Sequence, residues 1–365
     1  MSYNQIRRIA INTGGGDAPG LNAVIRAATL ASLHNGWEVL GIRRGYVGLL
    51  QGEVDGEPGL IPLTAPAVRG ITHLGGTILG TTTRGNPFGL EVRESDGTWG
   101  REDLSDRILE RFKELDIDAL IAIGGDGSLS VAHILFQKGL RVVGVPKTID
   151  NDLAATDVTF GFQTAVDVAT EAIGRLHSTA EAHQRVMVVQ VMGRHTGWIA
   201  LESGLAGGAD VILIPEIPYS VEAIAQKLIE RERTGRRFSI VVVAEGARPA
   251  GGEPSYIEGS HRYGGIAERI ASEIEQRCKK ETRTLVLGHI QRGGSPNPYD
   301  RNLALRFGAA AVRCVERGNY GSMVALQGRE IRAVPLGDAV QEVKRVMVNS
   351  ELVTTARRLG ISFGD

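Results

Sequence analysis

What most constrains the fold of this chain is a rhythm. Short β-rich apolar runs at residues 8–12, 38–42, 119–123, 142–145, 186–191, 211–214 and 240–244 alternate with segments of helical period. Alternation of this kind predicts an α/β fold with mainly parallel, doubly wound sheets covered by helices, because parallel strands need crossover connections. Between positions 164 and 176, the spacing of Ala165, Val166, Ala169, Ile173 and Leu176 predicts a helix with one buried face. At 365 residues with 42% apolar content, the chain can bury two domain cores or one large α/β core. The polar stretches 93–106 and 247–264 read as surface excursions.

Glycine loops follow three of the predicted strands, and open α/β sheets bind ligands at the carboxyl ends of their strands. The first is Thr13-Gly14-Gly15-Gly16-Asp17-Ala18-Pro19-Gly20-Leu21-Asn22. It lacks the Gly-Lys-Ser/Thr of a P-loop, and Pro19 and Gly20 break the spacing of a dinucleotide fingerprint. The second, Gly124-Gly125-Asp126-Gly127-Ser128, precedes a helical pattern over 129–137. Backbone N–H groups and a helix start there can meet phosphate, and Asp126 offers a hard oxygen to Mg²⁺. The third, Pro146-Lys147-Thr148-Ile149-Asp150-Asn151-Asp152, reads as a turn carrying two carboxylates, a lysine and a hydroxyl. Residues two apart in an extended segment share a side, so Asp150 and Asp152 can address one pocket, one of them as a proton acceptor. Taken singly, each loop is equally what a polar turn in a parallel sheet looks like.

The second half adds groups suited to a sugar phosphate. Arg185 precedes the 186–191 strand, and Met192-Gly193-Arg194-His195-Thr196-Gly197 opens a helix near Trp198. Glu245 ends the 240–244 strand, and Arg283 leads into Gly288-His289-Ile290-Gln291-Arg292-Gly293-Gly294. An isolated arginine is more often a solvated ion-pair partner and an isolated histidine a structural hydrogen bonder, so only the set as a whole points to an anion site.

A net charge of −1 supplies no bulk attraction to nucleic acid or to an anionic membrane. Cys278 and Cys314 have no spacing of a zinc site or disulfide framework, which fits a reducing cytoplasm. With no apolar signal core and no apolar run near the roughly 18 residues of a membrane helix, a cytoplasmic protein is expected.

In consistent order over roughly residues 8 to 310, Gly-Gly-Asp-Ala-Pro-Gly-Leu-Asn, Gly-Gly-Asp-Gly-Ser, Thr-Ile-Asp-Asn-Asp, Met-Gly-Arg and Gly-His-Ile-Gln-Arg-Gly-Gly resemble the 6-phosphofructokinases of glycolysis. The resemblance implies phosphoryl transfer to the 1-hydroxyl of fructose 6-phosphate, with Asp150 as proton acceptor, Asp126 as Mg²⁺ ligand and Arg194 beside the reacting centre. Thr148, Asp152, Met192, Gly193, Glu245, His289 and Arg292 match positions around the sugar phosphate. Gly15, Tyr46, Arg84, Gly85, Gly125, Gly127 and Ser128 match the phosphoryl-donor side, although the segment around Arg84 differs in length from the short bacterial form. Arg185 and Arg283 match arginines that reach a neighbouring subunit's site, which implies a homo-oligomer, a tetramer or dimer. By the same analogy, residues 1–161 plus about 292–340 form the ATP/Mg²⁺ domain, and 162–291 plus the C-terminal helix form the sugar-phosphate domain, with the active site in the cleft between them.

Two residues set the donor, and they disagree. Gly127 matches the ATP users and leaves room for an α-phosphate, where the aspartate of pyrophosphate users would crowd and repel it. Lys147 resembles the pyrophosphate-dependent branch, where an ammonium offsets donor charge. Because a blocked pocket excludes ATP while an added lysine can coexist with it, ATP is the expected donor and pyrophosphate the alternative. A kinase of NAD or a lipid would have no use for the 192–194 and 289–292 loops, and a non-catalytic sugar-phosphate sensor would not need to keep Asp126, Thr148, Asp150 and Arg194.

Overall fold

The computed structural model describes residues 6–83, 85–93, 98–256 and 263–365. In chain order, the strands that build its two main sheets are β1 (Arg8–Thr13), β2 (Glu38–Ile42), β3 (Leu60–Pro62), β4 (Ala119–Gly124), β5 (Val142–Thr148), β6 (Phe160–Gly161), β7 (Val186–Val191), β8 (Val211–Leu213), β9 (Ser239–Ala244), β10 (Thr282–Val286), β11 (Ser322–Gln327) and β12 (Glu330–Pro335). The principal helices are α1 (Leu21–His34), α2 (Asp126–Gln137), α3 (Phe162–His183), α4 (Trp198–Ala206), α5 (Val221–Arg233), α6 (Ile266–Cys278), α7 (Pro298–Glu316) and α8 (Glu351–Arg358).

The chain divides into two units. The first comprises Met1–Thr148, Leu153–Gly161 and Gly293–Val343; the second comprises Ile149–Asp152, Phe162–Arg292 and Lys344–Asp365. The sheet of the first unit runs β12-β11-β5-β4-β1-β2-β3, with β6 against β5. It is parallel except at its edges, where β3 and β12 pair antiparallel. Strand alternation divides its core in two. Ile9 and Ile11 of β1 join Leu21, Val24, Ile25 and Ala28 of α1 and Leu303 and Phe307 of α7, whereas Ala10 faces Leu129, Ala132 and Leu135 of α2. These four of the buried α1 residues fall at i, i+3, i+4 and i+7, along one helical stripe. Each such Leu or Ile, fully buried, contributes about 1.5–3 kcal/mol.

The sheet of the second unit, β8-β9-β7-β10, is parallel throughout. Val186 and Val188 of β7 and Val241 and Val243 of β9 meet Ile224 and Leu228 of α5 and Ile270 and Ile274 of α6. Below that sheet, Arg231 pairs with Asp210 at 2.7 Å; burial pushes the Asp210 carboxyl up despite the neighbouring guanidinium.

Strands 38–42 and 186–191 coincide with the apolar runs. The segment Pro146-Lys147-Thr148, read above as a turn, is strand: β5 continues to Thr148 because Lys147 and Thr148 pair with Phe160 and Gly161. The helix expected over 164–176 extends to Phe162–His183. In the stretch 93–106, Trp99–Glu102 pairs antiparallel with Leu90–Arg93, and a helix begins at the buried Ser105, while 94–97 lie outside the described residues. In 247–264, Ala247 is fully buried and Tyr219 bridges to Pro249, while 257–262 lie outside the described residues. No helix among the described residues is long and apolar enough to cross a membrane.

Candidate active site

Each sheet has a point where the chain reverses direction of growth, and the loops there are where ligands bind in open α/β sheets. In the first unit this lies between β1 and β4, at loops 14–17 and 124–128; in the second it lies between β7 and β10, at loops 192–197 and 287–292. Two half-sites stand on these ends, one in each unit.

The half-site of the first unit is built from backbone. Gly14 N–H donates to the Ile123 carbonyl (2.9 Å), and Gly15 N–H donates to the Thr82 carbonyl (3.1 Å). Thr81 Oγ1 donates to the Gly15 carbonyl (2.6 Å). A Cβ on Gly14 would lie 2.6 Å from Ser128 Oγ, and one on Gly124 would collide with Ser128 Cβ, so both glycines are required for the close approach of the two loops. Gly125 is extended, and no side chain caps the start of α2, where Asp126 stands in the first turn. The first N–H groups of a helix carry partial positive charge and suit an anion. A Cβ on Gly127 would meet nothing within 4 Å.

Lys147 is only 2% exposed, and its Nζ donates to the Gly16 carbonyl, so the ammonium is held against the glycine loop. Tyr46 lies in the core beside Ile42 and Leu49, where burial pushes its phenol far up. A Cβ on Gly85 would press on Thr82. Arg84 lies outside the described residues. Among the described residues no three His, Cys, Asp or Glu side chains gather as a metal cage. Mg²⁺ needs no such cage when phosphates and waters supply most of its oxygens, so Asp126 on this loop fits that ion.

The half-site of the second unit is built from side chains. Thr196 Oγ1 donates to the Asp150 carbonyl at 3.1 Å, tying the carboxylate loop to the 192–197 loop. Gly246 N–H donates to the Gly193 carbonyl (3.0 Å), and Arg194 Nε donates to Glu245 Oε1 at 3.2 Å. Arg194 remains 59% exposed at its side chain while Glu245 is only 13% exposed, so the carboxylate fixes an arginine whose head faces solvent. Met192 is buried, and its N–H donates to Gln291 Oε1 (3.3 Å). Gln291, fully buried, also donates to the Gly288 carbonyl (3.0 Å), and Arg292 N–H donates to the His289 carbonyl (3.0 Å). Met192, Arg194, Glu245, His289 and Arg292 therefore sit on the carboxyl ends of β7, β9 and β10.

Arg185 and Arg283 sit elsewhere. They lie at the amino ends of β7 and β10, where Arg185 Nε pairs with Glu281 at 2.7 Å and Arg283 pairs with the same carboxylate. With about 3.3 Å per strand residue, the length of β7 separates them from the Met192 end.

Sequence reasoning gave no role to Gln291, Glu216, Asn151 or Lys344. Glu216 accepts the N–H of Gly197 at 3.1 Å and that of Val346 at 2.9 Å, and burial pushes its carboxyl up. Gln291 and Asn151 stood inside recognised motifs; Glu216 and Lys344 are joined to the site only by long-range contacts and carry no local signal.

Comparison with known proteins adds the family. A family model described as Phosphofructokinase matches residues 8–315. The chain is 55% identical over 360 residues to the ATP-dependent 6-phosphofructokinase of Chloroflexus aurantiacus, covering 98% of each. It is 49% identical over 368 residues to the ATP-dependent 6-phosphofructokinase 2 of Clostridium perfringens, covering 99% of each. Among solved structures, Pichia pastoris phosphofructokinase in the T-state superposes with a TM-score of 0.80 at 33% identity, covering 98% of this chain and 37% of that longer one. The pyrophosphate-dependent phosphofructokinase from Marinobacter aquaeolei gives 0.80 at 22% identity, a likeness of fold alone.

Proposed function

The chain belongs to the phosphofructokinase family, and from that premise we propose that it transfers the γ-phosphoryl group of ATP to the 1-hydroxyl of fructose 6-phosphate, giving fructose 1,6-bisphosphate and ADP. The observation that carries this reading is the bond from Thr196 to the Asp150 carbonyl, which makes the proton acceptor and the Arg194 loop one assembly. Asp150 takes the proton of the 1-hydroxyl as that oxygen attacks the γ-phosphorus, and the bond to the β–γ bridging oxygen breaks with its electrons leaving on ADP. Arg194, aligned by Glu245, meets the charge on the transferring phosphoryl oxygens. Glycines 14–16, Gly124, Gly125, Gly127 and Ser128 receive the donor phosphates through backbone N–H groups and a hydroxyl. Mg²⁺ held through Asp126 supplies charge neutralisation for those phosphates.

Thr148 and Asp152 flank the base, while Met192, Gly193, His289 and Arg292 shape the sugar-phosphate side. Tyr46, Arg84, Gly85 and Gly125 belong to the donor side. The donor is ATP because the space at Gly127 is open and because the relatives named above are ATP-dependent. Lys147, engaged with the Gly16 carbonyl, serves the loop and does not by itself demand pyrophosphate.

The enzyme works as a homo-oligomer, a tetramer or dimer. Support comes from Arg185 and Arg283 at the amino ends of their strands, useless to the site of their own chain, and from Val286 and Ile290, 48% and 60% exposed on or beside the edge strand β10. Fructose 6-phosphate is the partner small molecule; neither nucleic acid nor membrane is involved, and the compartment is the cytoplasm. Phosphorus NMR of the reaction mixture tests the reading: a new phosphate monoester at carbon 1 is expected, and phosphorylation at any other position overturns it.

A further inference from the structure

A general base is effective only if its carboxylate is held at the right place, and three consecutive residues of the Asp150 loop are each tied down within the second unit. Thr196 holds the Asp150 carbonyl; Lys344 Nζ donates to Asn151 Oδ1 at 2.8 Å; Lys344 N–H donates to the Asp152 carbonyl at 2.8 Å. Asn151 needs this support, for it is 3% exposed with φ of 51°, a left-handed conformation that a non-glycine residue keeps only when its surroundings impose it.

Lys344 is itself anchored. Its carbonyl accepts from Trp198 Nε1 at 2.8 Å, and its ammonium lies 5.8 Å from the centre of the Trp198 ring. The next residue, Arg345, donates through Nη1 to the His195 carbonyl (2.9 Å), and Val346 N–H reaches Glu216, the carboxylate that also holds Gly197. Residues 344–346 thus bind both the proton-acceptor loop and the loop that carries Arg194, although 193 positions separate Lys344 from Asn151.

We propose that Lys344 is a positioning residue for catalysis, fixing the backbone from which Asp150 accepts its proton, so that the tail segment 344–346 belongs to the catalytic machinery. This rests on the reading of Asp150 as the proton acceptor. If the segment were only packing, its loss would weaken folding and leave the chemistry of the folded fraction intact.

The test compares Lys344→Met, which keeps the apolar stem and loses the ammonium, with Lys344→Arg and with Asn151→Ala, measuring kcat, KM for both substrates and thermal midpoint. Lys344→Met is expected to lower kcat about 10- to 100-fold with KM for fructose 6-phosphate changed less than about threefold, since misplacement of a catalytic group acts on the transition state. Lys344→Arg recovers much of the loss, and combining Lys344→Met with Asn151→Ala costs little beyond either alone, because the two form one link. A kcat within about twofold of the parent, or a loss matched by KM or by an unfolded fraction, overturns the proposal. Should Lys344→Met fail to fold, Asn151→Ala carries the same expectation and the same refutation. If the parent protein yields no fructose 1,6-bisphosphate, or Asp150→Asn keeps full turnover, the functional reading itself fails; if both behave as described and Lys344→Met is unchanged, only this inference does.

Discussion

The two half-sites reach function by opposite means. In the first unit the working surface is backbone, exposed where glycines let loops 14–17 and 124–128 close on Ser128. In the second it is a set of acidic and basic side chains, Asp150, Arg194 and Glu245, on loops held by hydrogen bonds that Thr196 and Lys344 donate and Glu216 accepts. The difference teaches that substitutions in the two units should fail differently. A change in the second can remove chemistry and spare the fold, whereas adding a side chain in the first disturbs structure and donor binding together, except where the added group meets open space.

The sharpest separation comes from Asp150→Asn, which removes the proposed proton acceptor with almost no change in shape. A fall in kcat of about 10²- to 10⁴-fold with an unchanged thermal midpoint is expected; turnover near the parent rate would take Asp150 out of the mechanism. Next is Gly127→Asp. Its side chain enters empty space, so the thermal midpoint should hold, but two like charges near 4 Å repel by about 4 kcal/mol at an effective dielectric constant of 20. Accordingly kcat/KM for ATP should fall about 10²- to 10³-fold, and a variant that uses ATP normally would break the steric account of donor choice.

Gly124→Ala probes the opposite behaviour in the same unit. Its methyl collides with Ser128, so a loss of about 1–3 kcal/mol in stability should accompany a raised KM for ATP. Chemical denaturation with kinetics on the same samples decides it, and a stable variant with unchanged KM would show that the loops can spread.

The smallest effect concerns Glu216. Its carboxyl titrates above the ordinary range because burial disfavours the charged form, so as pH falls from neutral the folded protein takes up this proton before the unfolded chain does. Its contribution to stability therefore grows on acidification until the unfolded group also titrates, near pH 4.3. Relative to Glu216→Gln, the parent should gain in thermal midpoint as the pH is lowered from neutral towards about 4.3; a widening in favour of the variant would reverse the sign.

Much of this arrangement was legible in the sequence, because strand interiors and glycine loops are local signals. The runs at 38–42 and 186–191 are apolar and β-branched enough to mark their own ends. Pro146-Lys147-Thr148 misled because a proline and a buried lysine look like a turn, and only pairing with Phe160 and Gly161 makes them strand. Strands β3, β6, β10, β11 and β12 escaped notice: Thr282–Val286 is a largely exposed edge with mixed polarity, and Ser322–Gln327 is fixed as a strand by pairing with Val143 and Gly144, far off in sequence. The carboxylate, arginine and glycine positions carry their own chemistry in their residue types. What supports them, Glu216 inside the second unit's long middle segment and Lys344 at the start of its last one, depends on contacts across 130 to 193 positions that no local pattern encodes.

The open loop at Gly127 decides which donor is admitted. Initial rates of the purified protein with fructose 6-phosphate and Mg²⁺, comparing ATP with pyrophosphate at matched concentrations, measure this directly. Turnover with ATP and none above background with pyrophosphate is the predicted result; turnover with pyrophosphate alone would contradict it and give the decisive role to Lys147.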